Sequence, residues 1–96
     1  MPIVDTLRLK RAEILQIAAR HGARNIRVFG SAVHGEMGPD SDIDFLVDVG
    51  PAPSSFFPGG LLSDLEDLLG RRVDVVIENA LHWFIRERVL REAIPL

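Results

Sequence analysis

Apolar and polar positions alternate along this chain with two distinct periods, and the changes of period mark its elements. From 5 to 21, DTLRLKRAEILQIAARH, apolar residues return at helical spacing. Leu7, Ile14 and Ala18 fall on one face, with Arg8, Lys10, Arg11 and Glu13 mostly elsewhere. The stretch predicts a helix with Asp5 as its N-cap candidate and Gly22 just past its end. NIRVFG, 25–30, predicts a short strand that Gly30 ends. DIDFLVDVG, 42–50, has period 2 and predicts a second strand. Ile43, Phe45, Val47 and Val49 lie on one face, and Asp42, Asp44, Leu46 and Asp48 on the other. GPAPSSFFPGG, 50–60, is loop by composition, with Ser54 or Ser55 a candidate to cap a helix that follows. LLSDLEDLLG, 61–70, predicts that helix, with Leu61, Leu65, Leu68 and Leu69 inward and Gly70 closing it. A third strand follows over 73–77 and its flanks, in RVDVVI. ALHWFIRERVLREAI, 80–94, predicts a last amphipathic helix stopped by Pro95.

The order is α-β-(loop or short helix)-β-α-β-α, with no repeat and no low-complexity tract. The unit from 42 to 77 is strand-helix-strand, so the second and third strands are expected parallel. The first two strands lack a long helix between them and are expected antiparallel. The expectation is an α+β fold: a small mixed sheet with packed helices, α-β-α-β-α-β-α, as a single domain over 1–96.

Composition narrows the function. Ninety-six residues bury a modest core, and a hydrophobic content of 47% leaves apolar surface for a partner or a homo-oligomer to cover. A net charge of −3 argues against a general nucleic-acid binder. The absence of cysteine excludes disulfides and zinc-thiolate sites. No signal-peptide pattern opens the chain and no apolar run suits a membrane span, so the expected location is cytoplasmic.

The charges in GSAVHGEMGPDSDID, 30–44, carry the chemistry. Asp42 and Asp44 leave the same strand face and repel each other unless a cation lies between them. A hard divalent cation with oxygen ligands answers this, and Mg²⁺ commonly arrives with substrate phosphates. Asp74, the only charge in VDVVI, stands near the start of the third strand as Asp42 and Asp44 stand at the start of the second. Parallel pairing makes those starts neighbours. Antiparallel pairing brings Gly30-Ser31 to the same place, where Gly30 leaves room for a phosphate and the Ser31 hydroxyl and backbone N–H groups can donate to it. A short helix from Ser31 through His34 would aim its first N–H groups there.

Gly30-Ser31, then ten residues, then Asp42-Ile43-Asp44, with Asp74 downstream, resembles the DNA polymerase beta-type nucleotidyltransferase superfamily. The chain length and DLEDLLGRRVDVV resemble its minimal nucleotidyltransferase (MNT, MntA-like antitoxin) branch over roughly residues 10–90. Three separated elements agree, which a lone D-x-D would not match for specificity. The resemblance implies a nucleoside triphosphate substrate, ATP in the leading reading, and two Mg²⁺ ions. It implies Asp42, Asp44 and Asp74 as catalytic metal ligands, and Gly30 and Ser31 as triphosphate contacts. It implies transfer of AMP to a tyrosine hydroxyl of a HEPN-family toxin partner, the chain acting as antitoxin. The alternative is an MNT-like antitoxin that neutralises its partner by binding alone. Many MNT proteins read G-S-R-A-R-G where this chain reads Gly30-Ser31-Ala32-Val33-His34-Gly35, so two arginines are absent. Transfer to a small molecule such as an aminoglycoside would need an added acceptor domain.

The other candidates carry blander assignments. Asp40 and Asp48 read as solvated, with Asp40 a possible cap. His34 reads as a polar loop residue. His82 and Trp83 read as capping or core packing, and Phe56-Phe57 as a partner contact, a nucleotide-base platform or a pair folded back on the core. The basic residues Arg8, Lys10 and Arg11 read as a solvated face.

Overall fold

Nine of the chain's regular elements build one four-stranded sheet and its cover in a computed structural model that describes residues 3–38 and 40–96. In chain order they are α1 (Ile3–Leu9), α2 (Arg11–Arg20), β1 (Ala23–Phe29), α3 (Ser31–His34), β2 (Ile43–Val49), α4 (Gly59–Leu69), β3 (Val73–Ile77), α5 (Trp83–Glu92) and β4 (Ile94–Pro95), with a 3-10 turn at Glu78–Ala80. The sheet order is β3-β2-β1-β4. β1 and β2 are antiparallel, β2 and β3 parallel, as the lengths of their connections require. The fold is α+β. Among the described residues no helix is long and apolar enough to cross a membrane.

Alternation along β2 builds the core. Ile43, Phe45 and Val47 are fully buried and pack with Leu7, Ile14 and Ala18 of α1 and α2, Val28 of β1, Leu61 and Leu65 of α4, and Val73 and Val75 of β3. Leu46 points to the opposite face and is also fully buried, although its neighbours in sequence on that face are aspartates. Val89 of α5 is buried as well. Arg86 ties the start of α5 to Glu78, through the Glu78 carbonyl at 2.8 Å and its carboxylate at 3.3 Å. Arg27 lies beside Leu46 in the ladder and is buried. Its charge is met by Asp48 at 2.9 Å and Glu78 at 2.7 Å. Asp48, read from sequence as solvated, is therefore an ion-pair partner that keeps a buried cation from being left alone.

The elements differ from expectation at four places. The first helix is two, broken at Lys10, whose N–H is shared between Thr6 and Leu7 carbonyls and whose φ of −100° and ψ of 14° leave the helical region. The bend keeps Leu7 and Ile14 buried while turning α1 onto α3, a tertiary docking that periodicity does not register. Asp5 consequently lies inside the first turn rather than capping it. Ser54 and Ser55 do not cap α4, which begins at Gly59; Ser54 instead donates its backbone N–H to the His21 carbonyl and hydrogen-bonds the His21 ring. The last helix ends at Glu92, and Ile94 and Pro95 form an edge strand against Val28 and Arg27. Proline suits that place because an edge strand can spare one N–H. Gly22 and Gly70 do sit in left-handed backbone just past α2 and α4.

Candidate active site

The chain ends that matter meet at one pole of the sheet. β1 finishes at Phe29, β2 and β3 begin at Ile43 and Val73, and the ladders fix what stands beside what. Phe29 pairs with Asp44, and Asp44 pairs with Asp74 across the parallel ladder. Registered neighbours in adjacent strands point to the same face. The sequence-predicted carboxylates on β2 and β3 are thus brought side by side, on the face opposite Phe45. Asp42 precedes β2 by one residue and remains half-exposed.

Their proximity is visible in the acid-base chemistry. The Asp44 carboxyl is pushed up from 3.8 to about 6, first by burial and then by the charges of Asp74 and Asp42. A carboxylate held this far from its ordinary range, between two others, is poised to take a cation.

Asp42 is turned to a cation already. Arg72 Nε lies 3.0 Å from Asp42 Oδ1, and the same guanidinium donates to the Asp40 carbonyl. Among the described residues no three His, Asp or Glu side chains are closed up as a metal cage. Mutual repulsion gives the reason: three bare carboxylates do not gather, and Asp42 takes the nearby arginine. Arg72 was not singled out from the sequence. The signal was available in the register, because Ile43 pairs with Val73 and so Asp42 stands beside Arg72.

The glycine-serine turn closes on the same spot. Gly30 has φ 73° and ψ −147°, a backbone conformation open to glycine alone, and a Cβ there would collide with the Asp44 carboxylate. Ser31 opens α3, as the sequence suggested, and its hydroxyl donates to Met37 Sδ at 3.3 Å. Thioether sulfur is a weak acceptor, so an anionic oxygen would displace it readily. His34, the last residue of α3, is half-exposed and meets Glu92 of α5 at 3.2 Å. It is a link between helices rather than a loop residue. The donor set therefore fits a divalent cation with phosphate: hard oxygens converging on Asp44, and a backbone recess beside a hydroxyl held only by a thioether.

Trp83 departs from its sequence assignment, and Phe56 and Phe57 divide between the alternatives the sequence left open. His82 does cap α5, its Nδ1 accepting from the Phe84 N–H at 3.1 Å, but Trp83 is 78% exposed. Phe57 packs against the core, while Phe56 does not.

Comparison with known proteins followed from this geometry. The family model described as "Nucleotidyltransferase domain" matches residues 11–96. The chain is 46% identical over 79 residues to the protein adenylyltransferase MntA of Thermococcus cleftensis, covering 82% of this chain and 80% of that one. A solved structure described provisionally as a minimal nucleotidyltransferase superposes with a TM-score of 0.84 at 49% identity, covering 96% of this chain and 94% of that one. The MNT antitoxin of Shewanella oneidensis, solved with a tri-AMPylated HEPN toxin, shares the fold at a TM-score of 0.67 and 19% identity, over 92% of this chain and 69% of that one.

Proposed function

The chain belongs to the nucleotidyltransferase domain family, and on that premise we propose that it transfers AMP from ATP to a tyrosine hydroxyl of a HEPN-type partner, silencing it as an antitoxin. The observation that carries the reading is the side-by-side placement of Asp44 and Asp74 against the glycine recess at Gly30. The names of relatives support the acceptor class: a protein adenylyltransferase in one case, a HEPN toxin bearing AMP in another.

In this reading Asp42, Asp44 and Asp74 would hold two Mg²⁺ ions, for which Asp42 would give up Arg72. Bound there, the ions would supply charge stabilisation for the attacking and leaving oxygens of an in-line displacement. Gly30 lets the triphosphate approach the backbone, and Ser31 turns its hydroxyl from Met37 to a phosphate oxygen. Asp74, an exposed carboxylate on β3, accepts the proton of the acceptor hydroxyl. The acceptor oxygen bonds to the α-phosphorus, the α–β phosphoanhydride bond breaks, and pyrophosphate leaves. The cytoplasm is the proposed location, where ATP, Mg²⁺ and such a partner would be met.

Neutralisation by contact alone is the second reading, favoured by Ala32 and His34 where many MNT proteins carry arginine. Incubation of the chain with α-labelled ATP, Mg²⁺ and the HEPN protein of its own genome separates the two. Label on the partner's tyrosine is the expected result; a stable complex that stays unlabelled selects the second reading.

A further inference from the structure

The aromatic end of α5 is the part of the molecule that the catalytic reading leaves unused. Trp83 and Phe84 follow one another and are 78% and 75% exposed. Their ring contacts, to His82 and to each other, stay within the start of the helix. The His82 cap fixes that start, so the two rings are held on a formed helix rather than on a loose end. Leu90 continues the stripe below Trp83 at helical spacing, with Glu87 between them, while Arg88 and Arg91 run below Phe84. The inner side of the helix is spent: Val89 is buried, Arg86 holds Glu78 and Glu92 holds His34.

We propose that this outward face of α5 is the docking surface for the acceptor protein, an unlike partner that offers an apolar pocket for Trp83 and Phe84 rimmed by acidic groups for Arg88 and Arg91. The proposal rests on the transfer of AMP to a partner protein put forward above. Three observations choose the occupant. A second copy of this chain with its helix running parallel would set Glu87 against Glu87 on the Trp83 stripe. It would also set Arg88 and Arg91 against their own kind, and like charges facing each other across an interface oppose association. An unlike partner has no such constraint.

The second observation is position. α5 ends beside His34, the last residue of the four-residue helix that Ser31 begins. A helix that short spans about 6 Å. Trp83 and Phe84 stand at the other end of α5, on the side held to Glu78, about 15 Å away along the helix, so a protein seated along its whole length reaches from that anchor to α3 at the rim of the site. The third is size. Two rings this exposed present roughly 300 Å² of apolar surface, against about 800 Å² for one side of a standard interface. The helix thus supplies the anchor, and the rim of the active site supplies ground for the rest, as a partner delivering its own hydroxyl requires.

The test uses the full chain and the HEPN protein of the same genome. Trp83→Ala, Phe84→Ala and the charge reversal Arg91→Glu are compared with wild type for complex formation by calorimetry, and for Mg²⁺·ATP binding by the free chain. Phe56→Ala, an exposed aromatic on the loop before α4, is the control. Each aromatic truncation should weaken the complex by about 30-fold or more, as for a central anchor, with nucleotide binding unchanged. Arg91→Glu should weaken it too, and Phe56→Ala should not. Wild-type affinity in both aromatic variants would overturn the surface while leaving the transfer reading intact. A wild-type chain that binds no HEPN protein would overturn the transfer reading instead, and the surface with it. A free wild-type dimer that Phe84→Ala dissolves would assign the face to a second copy and refute the unlike partner.

Discussion

Asp44→Asn should make the metal-free protein more stable and at the same time deprive it of its response to metal. The Asp44 carboxyl is raised from 3.8 to about 6, roughly two units, by burial and by Asp74 and Asp42. At about 1.4 kcal/mol per unit the ceiling is about 3 kcal/mol. Asp44 is only part-buried, so water screens the interaction and about 1–2 kcal/mol is the reasonable expectation. The sign follows from proton binding. Between pH 3.8 and about 6 the native carboxyl keeps a proton that the unfolded one has lost, so stability falls as pH rises through that window. Above it the whole penalty is present; below it, none. Asparagine is neutral at every pH and never incurs it. Denaturant unfolding in EDTA at pH 7.5 should therefore show the variant ahead by about 1–2 kcal/mol, or roughly 5–10 °C in Tm for a chain of this size. The gap should close by pH 3.5. Adding Mg²⁺ with ATP should stabilise wild type and leave the variant nearly unmoved. A variant no more stable than wild type at pH 7.5, or a gap that persists in acid, would refute the account of a part-buried Asp44 carboxylate strained by its neighbours' charge.

Asp74→Asn should lower AMP transfer by about a hundredfold or more, measured with labelled ATP, while the partner complex still forms; full activity in the folded variant removes Asp74 from the mechanism. Gly30→Ala forces a side chain into left-handed backbone and against Asp44. It should cost about 1–3 kcal/mol by denaturation and abolish calorimetric ATP binding. ATP should bind far better with Mg²⁺ than with EDTA, and indistinguishable isotherms would count against the carboxylates as ligands.

The strands and their pairing were legible because alternation and connection length act locally, and DIDFLVDV admits few registers. Asp44 beside Asp74 and Gly30 beside Asp44 follow from that pairing alone. What was illegible depends on contacts between remote segments. The bend at Lys10 exists because α1 docks on α3. β4 is two residues long, and its Pro95 reads equally as a helix stop. Arg27 in NIRVFG is a buried cation whose partners, Asp48 and Glu78, come from two other elements. Trp83 misled for a different reason: sequence gives an apolar residue on an amphipathic helix no way to declare whether its cover is its own core or another molecule.

The register of Asp44 with Asp74 also has a kinetic side. The two residues stand thirty positions apart and meet only when the crossover through α4 closes. β1 and β2 pair over a much shorter loop, whose closure entropy is smaller. A chain with β3 still undocked thus already holds Gly30, Ser31, Asp42 and Asp44 in place and lacks Asp74 alone. Repulsion enters at this last closure, slowing it or hastening its reversal. A divalent cation shared by Asp44 and Asp74 would act on the same step with opposite sign, as a latch between two strands remote in the chain. Amide exchange in β3 and α4 would then slow on metal binding more than exchange in the β1–β2 hairpin.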